Sequence, residues 1–271
     1  MYESMNQPVP DVGRYLQRLG MDAAPAADLE GLNALIWAHQ THVPFEDLNT
    51  SLLGRPVSLE IPALYQKVVE ERRGGYCFEL NALFTRLLQD LGFDAWQVFC
   101  RVVRGRDFLP PCLHEGIAVS IQDKMYFCDT GFGGPMPGGA LLIEDGWTGE
   151  IRGEVFRIDR FDEHWWTVSR RTSGGAWEKV LQFNTFPQIP QEFLTMNFKC
   201  ANDPESLFVS QVLVNLRTED GALSITGDQF TRRQGGEVST QTLEDAAALE
   251  RALKQWFGMD MPVSTGRSLT K

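Results

Sequence analysis

The hydrophobic positions between residues 11 and 92 repeat at helical spacing. Apolar side chains recur three or four positions apart, which is the period of a helix with one buried face. Four helices are therefore predicted, at 11–20, 28–42, 63–71 and 78–91. Asp11 stands at an N-cap position, and Gly20 and Gly92 stand where helices commonly end. This part of the chain is expected to form a helical bundle.

The period then changes to short runs rich in β-branched and aromatic residues. Six strands are predicted, at 96–103, 117–121, 124–128, 155–158, 165–170 and 177–183. Turn residues such as Gln122-Asp123 and Ser173-Gly174-Gly175 separate them. Short strands with frequent turns favour an antiparallel barrel or sheet.

The C-terminal part of the chain is mixed. Asp203 and Pro204 fit a helix cap and the first position of a helix. Strands are predicted at 208–216 and 222–226, and a helix at 242–257. The order of helices, then strands, then a mixed segment predicts an α+β fold and argues against alternating βαβ units.

Composition narrows the class of protein. The 271 residues are 43% hydrophobic and 23% charged, as in soluble globular proteins. The 25 Lys and Arg against 36 Asp and Glu give a net charge of −11, which disfavours nucleic acid and anionic lipid as partners. No run reaches the roughly 18 apolar residues of a membrane span, and the N-terminus lacks a signal-peptide pattern. We expect a cytoplasmic protein without a membrane anchor, and no feature decides its oligomeric state.

The segment 71–81 carries the most unusual chemistry. Gly74 and Gly75 permit a tight turn, and Cys77 follows at the start of a predicted helix. Free amide N–H groups and the helix dipole stabilise a thiolate at such a position, and the same amides can bind an oxyanion. The alternative is that Cys77 is a small buried hydrophobic residue, as most free cysteines are.

A nucleophilic cysteine needs a base and a group that orients it. His114 begins one predicted strand and Asp129 ends the next, so an antiparallel pair could bring them together near Cys77. A structural role for His114 is the alternative. The other three histidines are interpreted as packing, surface or structural residues.

Other kinds of site are less well supported. The glycines of 131–135 permit either a sharp turn or close approach of a phosphate, but they match neither a Walker loop nor a dinucleotide fingerprint. Cys100, Cys112 and Cys128 with His114 lack the paired spacing of a zinc site. The five cysteines are odd in number and widely spaced, which predicts free thiols. No metal is expected.

Three segments together resemble the arylamine N-acetyltransferase family. Residues 43–48, Val-Pro-Phe-Glu-Asp-Leu, are similar to its Pro-Phe-Glu-Asn-Leu motif. Residues 73–81, Arg-Gly-Gly-Tyr-Cys-Phe-Glu-Leu-Asn, resemble its nucleophile motif, which is highly specific. Residues 129–134, Asp-Thr-Gly-Phe-Gly-Gly, are similar to its Asp-Val-Gly-Phe-Gly-Gly motif.

The resemblance implies a catalytic triad of Cys77, His114 and Asp129. Cys77 would take an acetyl group from acetyl-CoA as a thioester and pass it to an arylamine, arylhydroxylamine or hydrazine, by ping-pong kinetics. His114 as imidazolium is expected to keep Cys77 ionised at neutral pH, and Asp129 to hold the imidazole in position.

The same resemblance implies a cysteine-protease-like core divided into three regions. These are a helical bundle (1–92) carrying the nucleophile, a β-barrel (93–190) carrying His and Asp, and an α/β lid (191–271). It also implies residues that contact the acceptor or acetyl-CoA: Phe45, Phe132, Gly133 and Gly134. Glu46, paired with either Arg72 or Arg73, is expected to support the nucleophile loop from behind.

Some positions depart from the family pattern. Asp47 replaces Asn, Thr130 replaces Val, and Cys112-Leu113 precedes the histidine. These differences bear on the choice of acyl donor and acceptor. Three alternatives are therefore kept: an amide synthase of the same family, a cysteine hydrolase or transglutaminase-like enzyme, and a binding module without activity.

Overall fold

Helices dominate the first part of the chain and return at its end. The computed structural model describes residues 2–263. Its α-helices are α1 (Val12–Arg18), α2 (Leu29–His42), α3 (Leu48–Ser51), α4 (Ile61–Tyr65), α5 (Cys77–Asp90), α6 (Phe193–Asn202), α7 (Leu207–Ser210) and α8 (Ala246–Phe257). A π-helical turn, Gln66–Glu70, continues α4, and 3₁₀ turns lie at Glu3–Asn6 and Pro190–Glu192. Among the described residues, no helix is long and apolar enough to cross a bilayer.

The strands form two antiparallel sheets. They are β1 (Phe45–Glu46), β2 (Asp94–Val102), β3 (His114–Ile121), β4 (Lys124–Cys128), β5 (Leu141–Leu142), β6 (Trp147–Ile151), β7 (Glu154–Arg160), β8 (Trp166–Arg171), β9 (Trp177–Phe183), β10 (Leu213–Thr218), β11 (Gly221–Thr226), β12 (Gln229–Gln234) and β13 (Glu237–Thr242). Eight of them, in the order β5-β4-β3-β2-β9-β8-β7-β6, form a nearly closed barrel. The C-terminal sheet has the order β1-β10-β11-β12-β13. The predicted α+β fold with an antiparallel barrel is confirmed.

Local side-chain chemistry sets several helix ends. The carboxylates of Asp11 and Asp28 accept hydrogen bonds from the backbone N–H groups of Arg14 and Gly31, so both act as N-caps. Gly258 ends α8 in the left-handed region at φ 67°, which glycine adopts without strain.

The prediction for the C-terminal part was wrong in three details. Asp203 ends α6 and does not begin a helix; the next helix, α7, is capped by the Ser206 hydroxyl. Strand β10 consequently starts at Leu213, after that short helix. Helix α8 begins only after Asp245, whose carboxylate accepts from the N–H of Ala248, because the preceding residues form β13.

The regions interlock through β1 and α3. Strand β1 pairs with β10, so a segment from the N-terminal part completes the C-terminal sheet. Leu48 of α3 and Leu52, the residue that follows this helix, pack in the same apolar cluster as α8. A second cluster joins the N-terminal helices to strands β3 and β4. The division at 92 and 190 stays a prediction, and residues 1 and 264–271 of the predicted regions lie outside the described residues.

His39 is a buried neutral side chain on α2. Its ring packs edge-on against Phe84, and its Nε2 lies 3.0 Å from the Tyr15 hydroxyl. Burial lowers the pKa of His39 from its ordinary 6.5 to about 3, and the nearby positive charge of Arg18 acts in the same direction. The unfolded chain therefore binds a proton between these pH values that the folded chain does not.

This burial predicts an acid-sensitive fold. The His39 contribution to stability is present above pH 6.5 and is lost as the pH falls, because only the unfolded state takes up the proton. Between pH 6.5 and 4.5 the free energy of unfolding should fall about 2–3 kcal/mol more in the wild type than in His39→Gln. Urea unfolding of both proteins at the two pH values measures the difference. Equal losses in the two proteins would show that His39 is not the titrating group.

Candidate active site

Cys77 lies at the first position of α5 and is almost fully buried, with 1% of its surface exposed. The turn before it requires glycine. A Cβ at Gly74 would lie 1.8 Å from the Pro44 carbonyl oxygen, and one at Gly75 would lie 2.8 Å from the Glu79 side chain. The close approach of these backbones sets the point at which the helix begins, and hence the position of the thiol.

The antiparallel pair β3–β4 brings His114 and Asp129 together. Ile117 of β3 pairs with Cys128 of β4, so the residue after β4 lies beside the start of β3. The His114 Nε2 lies 2.6 Å from the Asp129 Oδ2, and both side chains are buried. The position of these two residues agrees with the strand argument made from the sequence.

Cys77 lies against the start of β3 and the loop that follows β4. The backbone of Glu115, the second residue of β3, lies close enough to the Cys77 sulfur to lower the pKa of the thiol. A Cβ at Gly131, two residues beyond Asp129, would lie 2.8 Å from the Cys77 Cα. The structure therefore brings Cys77, His114 and Asp129 into one buried cluster.

Asn81 ties this cluster together. Its Nδ2 donates to the Asp129 Oδ1 at 2.9 Å and to the Glu115 carbonyl at 2.6 Å, and its Oδ1 accepts from the N–H of Thr130 at 2.9 Å. The N–H of Gly131 donates to the same Asp129 Oδ1 at 2.8 Å. Both carboxylate oxygens are thus engaged, which fixes the direction of the one facing the histidine. The sequence did carry a signal for Asn81, since it lies one helical turn after the cysteine.

Burial opposes a free thiolate at Cys77. Burial raises the pKa of the Cys77 thiol well above its usual value, and the nearby Cys200 and Glu115 side chains act in the same direction. The backbone of Glu115 has the opposite effect. The expectation of a cysteine ionised at neutral pH therefore meets a large desolvation cost. A proton that leaves the sulfur has to pass to a buried neighbour that keeps the pair neutral as a whole.

A buried ion cluster lies behind the loop of residues 74–76 that leads to Cys77. Glu46 pairs with Arg73 at 2.7 Å, and Lys67 lies 2.6 Å from Glu79 and 3.4 Å from Glu46. Arg72, the other candidate, is exposed, because its backbone adopts the left-handed region at φ 53° and turns the side chain away. The partner of Glu46 is thus Arg73, and the sequence analysis missed Lys67.

Lys67 is connected to the loop before Cys77 through the carboxylate of Glu79. The Glu79 Oε2 accepts from the N–H of Tyr76, the residue before Cys77, while its Oε1 contacts Lys67. The π-helical turn Gln66–Glu70 carries this lysine. The helix predicted at 63–71 contains Lys67, but hydrophobic periodicity does not reveal a π turn, so the ion pairs of this lysine were not predicted.

Removal of the lysine charge should destabilise the fold. Lys67→Met leaves Glu46 and Glu79 buried with a single cation, Arg73, so we expect a loss of about 3–5 kcal/mol in the free energy of unfolding. Arg14→Met is the matched control, because its ion pair with Glu70 is largely exposed and should contribute under about 1 kcal/mol. Urea unfolding measures both. Similar small losses in the two variants would contradict the role given to the cluster.

A cavity of about 840 Å³ opens beside Asp129. It is lined by all four residues expected to contact acceptor or acetyl-CoA: Phe45, Phe132, Gly133 and Gly134. The Phe132 ring meets the His114 ring edge-on, with centroids 5.4 Å apart. A Cβ at Gly133, where φ is 67°, would lie 2.5 Å from the Phe45 ring. The lining of the cavity next to the histidine is therefore partly aromatic.

The described residues contain no group of three or more His, Cys, Asp or Glu side chains placed to hold a metal ion. All five cysteines carry free thiols. The chemistry of the site is that of a thiol, an imidazole and a carboxylate.

Comparison with known sequences assigns the family. The model of a family described as N-acetyltransferase matches residues 28–265. The arylamine N-acetyltransferase of Mycolicibacterium smegmatis is 33% identical over 96% of this chain and 95% of the relative. The chain belongs to the arylamine N-acetyltransferase family. The enzyme of that name from Escherichia coli (strain K12) is 31% identical over 92% of this chain and 89% of its own length.

Solved structures of arylamine N-acetyltransferases share the fold. The M. smegmatis enzyme superimposes with a TM-score of 0.88 at 32% identity, covering 96% of each chain. The Salmonella typhimurium enzyme gives 0.88 at 30% identity, over 97% of this chain and 96% of its own. A Mycobacterium marinum enzyme in complex with CoA gives 0.85 at 29% identity, over 92% and 93%. The resemblance found in the sequence is confirmed, and the chain is an acyltransferase of this family.

Proposed function

We propose that this chain transfers an acetyl group from acetyl-CoA to an arylamine, arylhydroxylamine or hydrazine through a thioester on Cys77. The observation that carries the proposal is that Cys77, at a helix N-terminus, lies in the same cluster as His114 and Asp129. The Nε2 of His114 lies 2.6 Å from the Oδ2 of Asp129. The CoA complex of the M. marinum relative supports the choice of donor.

The first half-reaction forms the thioester. Asp129 holds the Nε2 of His114, so the Nδ1 accepts the proton of the Cys77 thiol. Proton transfer within the pair avoids the cost of a lone buried thiolate. The sulfur adds to the carbonyl carbon of acetyl-CoA, and the tetrahedral intermediate collapses with loss of the CoA thiolate, which takes the proton back from His114. The amides at the start of α5 are the donors available to the oxyanion.

The second half-reaction transfers the acetyl group. The amine nitrogen adds to the thioester carbonyl while His114 accepts a proton from it, and the Cys77 sulfur leaves and regains that proton. An arylamine suits this step because its low basicity leaves it neutral at pH 7. Phe45 and Phe132 line the cavity and offer aromatic surface to the ring of the acceptor.

Steady-state kinetics test the order of events. Initial rates measured over a grid of acetyl-CoA and arylamine concentrations should give parallel lines in double-reciprocal plots, because CoA leaves before the amine binds. Intersecting lines would overturn the thioester route, since they require both substrates to be bound together. Turnover of amides without CoA would instead favour a cysteine hydrolase.

A further inference from the structure

The C-terminal sheet presents a polar face to the cavity. Strands β10, β11 and β12 bury one face, with Val214, Ile225 and Phe230, against the core under α8. Because side chains alternate along a strand, the neighbouring positions point the other way. Pairing places these cavity-lining residues on that face: Asn215 opposite Ser224, and Ala222 between Arg217 and Arg233.

The charge of the cavity wall differs from that of the chain. The chain has a net charge of −11, yet its cavity is lined by five arginines, and no lysine stands among the described lining residues: Arg104, Arg152, Arg170, Arg217 and Arg233. Four acidic residues line it as well: Asp129 at the triad, Glu154, and Glu219 and Asp220 at the turn between β10 and β11. Guanidinium groups bind phosphate through two parallel hydrogen bonds, which ammonium groups cannot do.

Two of the arginines already have structural partners. Arg217 pairs with Glu154 at 3.0 Å and donates to a backbone carbonyl. Arg152 lies over the Trp37 ring at 4.0 Å and donates to the Gly138 carbonyl. These two side chains are used in holding the barrel, α2 and the C-terminal sheet together.

The other three arginines have fewer carboxylate partners than positive charges. Arg104 and Arg170, both from the barrel side, share the single carboxylate of Glu178, at 3.1 and 2.6 Å. Arg233, on the opposite wall, forms no ion pair with any residue that the structure describes. The three guanidinium groups thus line one cavity from the turn after β2, from β8 and from β12, with one ion-paired carboxylate among them.

We propose that Arg104, Arg170 and Arg233 form the site for the nucleotide phosphates of the thioester donor. The donor would span the cavity, with its phosphates at these arginines and its acyl end beside Asp129 and Phe132. The inference rests on the proposed function, because it assumes a CoA thioester as the donor. The inference names the residues by which the protein would distinguish a CoA thioester from a thioester that carries no phosphate.

A truncated donor isolates the phosphate contacts. KM is measured for acetyl-CoA and for S-acetyl-N-acetylcysteamine, which carries the thioester but no phosphate, in Arg233→Gln and Arg170→Gln. The matched control is Arg232→Gln, on the same strand but on the other face, where its guanidinium lies 5.3 Å from the Trp256 ring centroid. The ratio of the two KM values should rise about tenfold in each test variant, as expected for loss of a charge-assisted contact, and should stay unchanged in the control.

Two results would overturn the site. One is a KM ratio in Arg233→Gln and Arg170→Gln equal to that in Arg232→Gln. The other is an equal rise of KM for both donors. That result would mean that the arginines stabilise the fold or contact the acceptor, and do not bind the phosphates.

Calorimetric binding of CoA to the wild type and to Arg233→Gln separates this inference from the proposed function. If the wild type is acetylated and the variants bind CoA as the wild type does, the proposed phosphate site is wrong and the proposed function stands. If CoA binding depends on Arg233 but the wild type is not acetylated, the proposed transferase function is wrong and the phosphate site stands. A wild type that neither binds CoA nor accepts acetyl from it would remove both.

Discussion

Cys77→Ser should lower acetyl transfer by at least about 10⁴-fold, because removal of the nucleophile abolishes covalent catalysis. The serine hydroxyl loses its proton far less readily than a thiol, and burial at the start of α5 adds to that difficulty. The side chains have nearly the same shape, so the thermal unfolding temperature should stay close to that of the wild type. Steady-state rates and a thermal melt on the same preparations measure the two quantities.

Cys200→Ser is the matched control for this variant. Cys200 lies in the same apolar cluster as Cys77 and is also buried, but it belongs to α6 and has no part in the proposed transfer. It should retain most of the activity. Residual turnover above about 1% in purified Cys77→Ser, where a loss of 10⁴-fold is expected, would exclude Cys77 as the nucleophile.

Asp129→Asn should cost about 10³–10⁴-fold in kcat, the size of effect expected when a triad histidine loses its carboxylate. The Asp129 Oδ2 now accepts from His114, and its Oδ1 accepts from Asn81 and the N–H of Gly131. An amide in its place puts an NH₂ group against at least one of these donors. The imidazole is then held in the wrong tautomer, and its Nδ1 can no longer accept the thiol proton. Steady-state kcat at saturating donor measures the loss.

Asp47→Asn provides the control for this second variant. Burial raises the pKa of Asp47 well above its ordinary value and so disfavours its charged form, and asparagine has nearly the same shape. It lies in the loop after β1, where its Oδ1 accepts from the N–H of Leu213 at 3.0 Å, which an amide oxygen can also do. Activity should change little. A loss below about tenfold in Asp129→Asn would assign Asp129 a packing role only.

The parts of the fold that carry strong local signals were predictable. Asp11 caps α1 as predicted, and the helices predicted at 11–20, 28–42 and 78–91 correspond to α1, α2 and α5, whereas the short α3 was not predicted. The position of Asp129 beside His114 follows from two short strands joined by the Gln122-Asp123 turn, because antiparallel neighbours return to the same end.

Elements without such signals were missed. Helix α6 begins at Phe193, and the side chain at its N-cap position, Glu192, makes no capping hydrogen bond. Strand β13 is exposed along its whole length, so no alternation of apolar and polar residues marks it. Lys67 reaches its carboxylates from a π turn that no sequence period reveals. The five arginines of the cavity come from five separate strands or turns, and only the folded chain places them together.

The intact mass of the protein after mixing with acetyl-CoA, in the absence of any amine, tests the central claim most directly. Cys77→Ala is measured beside the wild type, together with the release of free CoA. The account predicts one acetyl adduct on the wild type alone, which disappears when an arylamine is added. A wild type that carries no adduct and releases no CoA would contradict it, and larger acyl thioesters and the substrates of an amide synthase would then be tested as donors.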